Sequence, residues 1–190
     1  MKWKRTAMTQ EREFQTREAD GKRYIEGYFA VFNSQYWLWE DAYETIVPGA
    51  FDLTRDTDIR ALTNHDTTLV LGRTTARTLT LRVDKRGLFG SIEVNEADQD
   101  AVNQYERVKR GDVNQCSFGF EILGQEIVRN EGQPTEFRIT SVKLYEVSVC
   151  TFPAYEETSV TARKAELADD DKRKTEAWRA EMLNKLKGGQ

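Results

Sequence analysis

Helical spacing of apolar residues is confined to two stretches of this 190-residue chain, and most of the rest alternates at the period of a strand. Lys22 to Val31 sets Ile25, Gly27, Phe29 and Val31 against Tyr24, Glu26, Tyr28 and Ala30, the two faces of one strand. Thr78 to Val83 alternates Leu79, Leu81 and Val83, and a turn at Asp84 to Gly87 leads into Leu88 to Val94, which predicts a hairpin. Short strands are predicted at Asp58 to Leu62 and Leu69 to Leu71. Strands return at Gln115 to Leu123, Glu136 to Val142 and Tyr145 to Phe152. The internal helix starts at Asn95 as N-cap, with Glu96 and Asp98 in the first turn. It continues through Ala101, Val102, Tyr105 and Val108, carries Lys109 and Arg110 in its last turn, and stops at Gly111. The second helix is a charged tail from Lys164 to Lys187, outside the main core. Ile46 to Phe51 joins a Pro-Gly turn to a short helix. Ser34 to Tyr43 reads as a loop whose Tyr36, Trp37, Trp39 and Tyr43 cap the core, or as a partner-binding patch.

Composition narrows the function classes. A net charge of -4 gives no basic footprint for nucleic acid. Two cysteines, Cys116 and Cys150, do not make a disulfide framework, and fit a reducing, intracellular setting. With His65 as the sole histidine, a zinc site would need several carboxylates, so no metal or other cofactor is expected. The charged residues 1–23 lack the apolar core of a signal peptide, and no apolar run reaches the roughly 20 residues of a bilayer span.

Three places can carry chemistry. In Gln115 to Glu121 (QCSFGFE), strand alternation puts Cys116, Phe118 and Phe120 on an apolar face and Ser117, Gly119 and Glu121 on the other. Gly119, one same-face step from Ser117, leaves room beside its hydroxyl. A serine on an open strand face is usually just solvated. It becomes a nucleophile only with a base beside it, and His65 is the one imidazole available. A third group should orient that imidazole. Glu146, in the strand Leu144 to Cys150 and flanked by Val147 and Val149, is the candidate, sharing a face with Leu144, Ser148 and Cys150. Asp66 and Asp84 are weaker alternatives, and an exposed glutamate on an edge strand is the plain reading of Glu146. The order His, Ser, acid matches none of the trypsin-like, subtilisin or α/β-hydrolase orders, and there is no G-x-S-x-G elbow.

Blocks in this order resemble the prohead serine proteases of tailed phages, which are similar to the herpesvirus assemblins in fold and in having His before Ser. The resemblance runs from Tyr24 to Arg163 through IEGYFAVFN (25–33), ETIVPGAF (44–51), IRALTNHD (59–66), VLGRT (70–74), the D-x-x-G-L element at 84–88, RGDVNQCSFGF (110–120) and LYEVSVCTFPAY (144–155). It implies His65 as base, Ser117 as nucleophile and Glu146 as acid. The herpesvirus enzymes use a second histidine that this chain lacks, Cys150 stands where an apolar residue is expected, and the Trp-rich Tyr36 to Trp39 lies outside the pattern.

The fold implied is α+β, an assemblin-like, mostly antiparallel β-barrel with surrounding helices and a C-terminal charged helix. It divides into an arm (1–22), a protease domain (23–163) and a helical tail or linker (164–190). The implied activity is cleavage of the scaffold, or of the scaffolding segment of the major capsid protein, and of the protease itself. It would act in the bacterial host cytoplasm inside the assembling prohead, possible as a homodimer or higher oligomer, without nucleic acid or membrane. The turn at Phe152 to Ala154 is the position expected for an oxyanion hole. Two rivals stand beside this reading: a non-catalytic capsid-assembly module of the same fold, and a hydrolase that pairs Cys116 with His65.

Overall fold

The computed structural model of the chain describes residues 5–8, 14–152 and 157–187. Met1–Tyr155 form one compact unit and Glu156–Gln190 a second. In chain order the strands are β1 (Arg5–Met8), β2 (Gln15–Ala19), β3 (Lys22–Val31), β4 (Tyr36–Trp39), β5 (Ala42–Ile46), β6 (Arg60–Thr63), β7 (Asp66–Arg73), β8 (Leu79–Val83) and β9 (Gly87–Glu93). Helix α1 (Gln99–Arg110), strands β10 (Gln115–Val128) and β11 (Thr135–Cys150), and helix α2 (Glu157–Lys187) follow. Neither helix is long and apolar enough to cross a membrane.

The strands form two sheets. The larger follows the order β1-β10-β11-β5-β4, with β6 and β7 branching from β11, and the smaller runs β2-β3-β9-β8. The branch arises from the length of β11. Its 16 residues pair antiparallel with β10 along one edge, while β5 takes residues 135–139 of the other edge and β6 takes 146–149, both in parallel. A sheet that forks in this way does not close on itself. The α+β class holds, but the described strands make no closed barrel, because the second edge of β11 is divided between two short strands.

One core joins the sheets. Ile25, Phe29, Leu88 and Ile92 of the smaller sheet are buried with Phe118, Phe120, Ile139 and Val147 of the larger. Phe118 stacks on Phe120 with ring centroids 4.7 Å apart and meets Phe51 edge-on at 5.6 Å. Each such ring removed from water stabilises the fold by roughly 1.5–3 kcal/mol.

Several predicted elements shift. Ser34 to Tyr43 is an antiparallel pair, β4 and β5, with Tyr36 and Leu38 turned inward and Trp37 outward against Tyr43. Ile46 to Phe51 forms a turn and extended chain without a helix, because Val47 and Ala50 spend their backbone groups on one another and on β11. Thr135–Cys150 form a single strand, continuous across the break predicted between Val142 and Tyr145. Helix α1 is capped by Asp98, which accepts from the Asp100 N–H, since Asn95 is used three residues earlier to close a turn with Ala97 and Asp98. Its end is as predicted: Gly111 sits at φ 86°, which suits a residue without Cβ. In the second unit, α2 starts earlier than predicted, at Glu157, and exposes Trp178, Met182 and Leu183.

Candidate active site

The hairpin between β6 and β7 presents His65. Thr63 pairs with Asp66, so Asn64 and His65 are the two residues of the turn, and both have positive φ, 50° and 61°. A two-residue turn that matches sheet twist needs this, and asparagine followed by glycine satisfies it most readily. Here the second position holds a bulky imidazole instead. β11 and the residue that follows it restrain the turn at three points. The Asn64 N–H donates to the Val149 carbonyl (3.0 Å), Asn64 Oδ1 accepts from the Thr151 N–H (2.9 Å), and the His65 N–H donates to Ser148 Oγ (3.2 Å). An unfavourable backbone at a fixed side chain is a mark of functional sites.

Glu146 is brought to the imidazole by a β-bulge. Gly119 pairs with Glu146 and Phe120 with Leu144, so Tyr145 is the extra residue. The bulge overturns the expectation that Leu144 shares a face with Glu146: Leu144 lies in the core, opposite Phe120, while Glu146 and Ser148 occupy the other face. Asp56 holds the bulge in place by accepting the Leu144 N–H at 2.8 Å, and its carboxylate is clamped by the Arg55 guanidinium.

The resulting constellation is connected. His65 Nδ1 lies 2.7 Å from Glu146 Oε1, and the Ser148 hydroxyl donates to Glu146 Oε2 at 2.6 Å. Glu146 is only 3% exposed, so its charge depends on these two partners. With Nδ1–H directed at the carboxylate, Nε2 is the nitrogen left to take a proton. Nε2 is buried and has no hydrogen-bond partner, so it is not bonded to Ser117.

Ser117 pairs with Ser148 across β10 and β11, on the same face as Gly119 and Glu146, and has no exposed surface. The face assignment from strand alternation therefore holds between Gln115 and Gly119. What Gly119 makes room for is the acid: a Cβ there would stand 2.4 Å from Glu146 Oε1. Cys116 points the other way, into the core, with Sγ 3.1 Å from the Tyr28 carbonyl. Cys150 is buried, and burial pushes its thiol up to about 12, with Cys116 and Glu146 nearby adding to the shift.

The other carboxylates are engaged elsewhere. Asp66 accepts from the Thr68 backbone and hydroxyl, and Asp84 from Tyr28 and Arg82. Phe152 is 80% exposed, and Pro153 and Ala154 lie outside the described residues, so the turn proposed for an oxyanion hole falls mostly beyond them. A surface cleft of about 480 Å3 near Gly72, Arg73, Thr78 and Glu93 contains none of the three candidate residues. Strand alternation puts Ser148 on Glu146's face without assigning it a role. The signal for one was its spacing, two residues from a carboxylate in an apolar strand.

The sequence profile described as caudovirus prohead serine protease matches residues 10–173. The prohead protease of Enterobacteria phage HK97 is 29% identical over 165 residues, spanning 84% of this chain and 68% of that protein. The structure of the bacteriophage T4 capsid assembly protease superposes on 78% of this chain and 94% of its own, at 11% identity and a TM-score of 0.42.

Proposed function

The chain belongs to the caudovirus prohead serine protease family and is a serine protease, and from that premise we propose that it is an endopeptidase in which His65, Ser117 and Glu146 act together. The observation that carries the assignment is the 2.7 Å contact between His65 Nδ1 and Glu146 Oε1, which leaves Nε2 unpartnered on a site that also contains Ser117. His65 Nε2 takes the proton of the Ser117 hydroxyl as Oγ bonds to the carbonyl carbon of a peptide. It returns that proton to the leaving amine, and the acyl-serine is hydrolysed by water that His65 deprotonates in turn. Glu146 stabilises the imidazolium and fixes its tautomer, and general-base assistance of this kind contributes roughly 10²–10⁴-fold. Ser148 ties the carboxylate and the His65 backbone together, so the pair moves as a unit.

The contact between Ser117 and His65 Nε2 has still to form in the productive complex, as catalytic hydrogen bonds commonly do on substrate binding. Ser117 is fully buried, so substrate entry also requires a neighbouring element to move. The substrates we propose are the scaffold, or the scaffolding segment of the capsid protein, and the enzyme itself. Cleavage takes place inside the assembling prohead, where extended protein segments are concentrated around the protease. The His-before-Ser order and the sheet-dominated fold support kinship with the assemblins.

The test is co-expression with the matching capsid protein, read by intact mass. Loss of a segment from capsid protein or enzyme is expected with the wild type and with Cys116→Ala, and is expected to vanish with Ser117→Ala. Particles that assemble from full-length protein in every case would favour a non-catalytic assembly module. Cleavage lost only with Cys116→Ala would move the nucleophile to the cysteine.

A further inference from the structure

Among the described residues of the sheet unit, two buried side-chain polar atoms have no hydrogen-bond partner: His65 Nε2 and Gln115 Oε1. A buried acceptor left unpaired costs roughly 1–3 kcal/mol, so native folds retain few of them, and those retained call for a specific reason. The first is explained by the proposed chemistry. The second lies on the same strand as the nucleophile and is not used by any step described above.

Gln115 opens β10, two residues before Ser117, and the register is unbroken from Gln115↔Cys150 through Ser117↔Ser148 to Gly119↔Glu146. Gln115, Ser117 and Gly119 therefore project from one face, spaced about 7 Å per step. Its cross-strand neighbour Cys150 offers no useful donor, because its thiol lies near the Ser148 carbonyl. The residue is half-buried as a whole while Oε1 itself is covered, so an incoming chain reaches this oxygen with the same movement that uncovers Ser117. A peptide running past Ser117 carries one backbone N–H per residue, each needing an acceptor once it leaves water.

We infer that Gln115 is a substrate-positioning residue, whose Oε1 accepts a backbone N–H of the extended peptide being cut. The inference rests on the serine-protease reading of the site. It assigns Gln115 to holding the substrate chain and gives it no part in activating Ser117.

Three variants separate these roles. Gln115→Met keeps the length of the side chain and removes the acceptor, Gln115→Glu keeps the acceptor, and Ser117→Ala is the control. Each is followed by two readouts: labelling of the serine by a fluorophosphonate, which has no peptide N–H, and time-resolved cleavage of co-expressed capsid protein. Gln115→Met is expected to label at the wild-type rate, to cleave roughly 3- to 10-fold more slowly, and to melt no lower than wild type. Gln115→Glu should recover most of the cleavage. Wild-type cleavage by Gln115→Met overturns the inference, and so does loss of labelling, which would place Gln115 at the nucleophile. A lower melting temperature with unchanged cleavage would make its role structural. If the wild type neither labels nor cleaves, the protease reading fails and this inference fails with it, whereas intact wild-type activity with an indifferent Gln115 sinks this inference alone.

Discussion

Residue by residue, the site is held by contacts that leave little slack. Gly119 is the sharpest case. A Cβ at that position would meet Glu146 Oε1 at 2.4 Å and its Cγ and Cδ at 3.1 Å, so Gly119→Ala must push the carboxylate off the imidazole. Displacement of an orienting group by about 1 Å costs on the order of 100-fold. We expect fluorophosphonate labelling of the Gly119→Ala variant to slow by about that factor while the far-ultraviolet circular dichroism is unchanged; labelling at the wild-type rate would show that Glu146 does not orient His65. Cys150 gives a second prediction at this scale. Burial holds its thiol protonated until about pH 12, so iodoacetamide should leave it unmodified in the native protein at pH 8.5 and modify it after denaturation. Rapid native alkylation would mean that the strand end opens far more often than its burial implies.

The elements that carry the three residues are two antiparallel strands and a two-residue turn, and each fixes a different part of the geometry. The turn is strained for the sake of its side chain: a residue with Cβ in the left-handed region costs about 1–2 kcal/mol, and His65 is such a residue at φ 61°. Replacing His65 by glycine alone would also strand the buried Glu146 carboxylate, so the two effects must be separated. In a Glu146→Gln background, His65→Gly is expected to raise stability by about 1 kcal/mol, measured by urea unfolding against the single variant. No gain would show that the turn is relaxed. A further prediction concerns β1, which lies along β10 with Met8 opposite Ser117 and Ala7 opposite Phe118. Deleting residues 1–8 frees that edge, and fluorophosphonate labelling of Ser117 should then quicken; an unchanged rate would mean that the serine is reached from another side. At this scale it is also clear what could be read in advance. The faces of Gln115 to Gly119 followed from period-2 alternation, because no irregularity interrupts them. Leu144 was misplaced because the same rule cannot register a bulge at Tyr145, whose cause is a hydrogen bond from Leu144 to the distant Asp56. Trp37 and Trp39 looked like loop residues until β5 supplied the partner strand that makes them part of a sheet.

For the molecule as a whole, the acidic side chains decide how the fold responds to pH. Glu26 and Glu136 are drawn below the ordinary glutamate value of 4.5 by Arg17 and Ser91 and by Thr45 and Arg138, against the opposing effect of burial. Asp58, paired with Arg73, falls from 3.8 to about 2. Each of these carboxylates binds its proton more readily in the unfolded chain than in the folded one. Their contribution is therefore fully present above about pH 4.5 and is lost as the pH falls through their folded values. Melting temperature should accordingly vary little between pH 6 and 8, and drop steadily below about pH 4.5. Asp58 and its partners are exposed, so their share is small and screened by salt, whereas the half-buried pairs resist screening. Melts at low ionic strength and in 1 M salt separate the two sets. A decline that persists in high salt assigns the acid sensitivity to Glu26 and Glu136, which tie β2 and β9 to β3 and β5 to β11. A melting temperature that rises on acidification would contradict the sign of every shift named here, and would require a group that binds protons more tightly in the folded state than in the unfolded one.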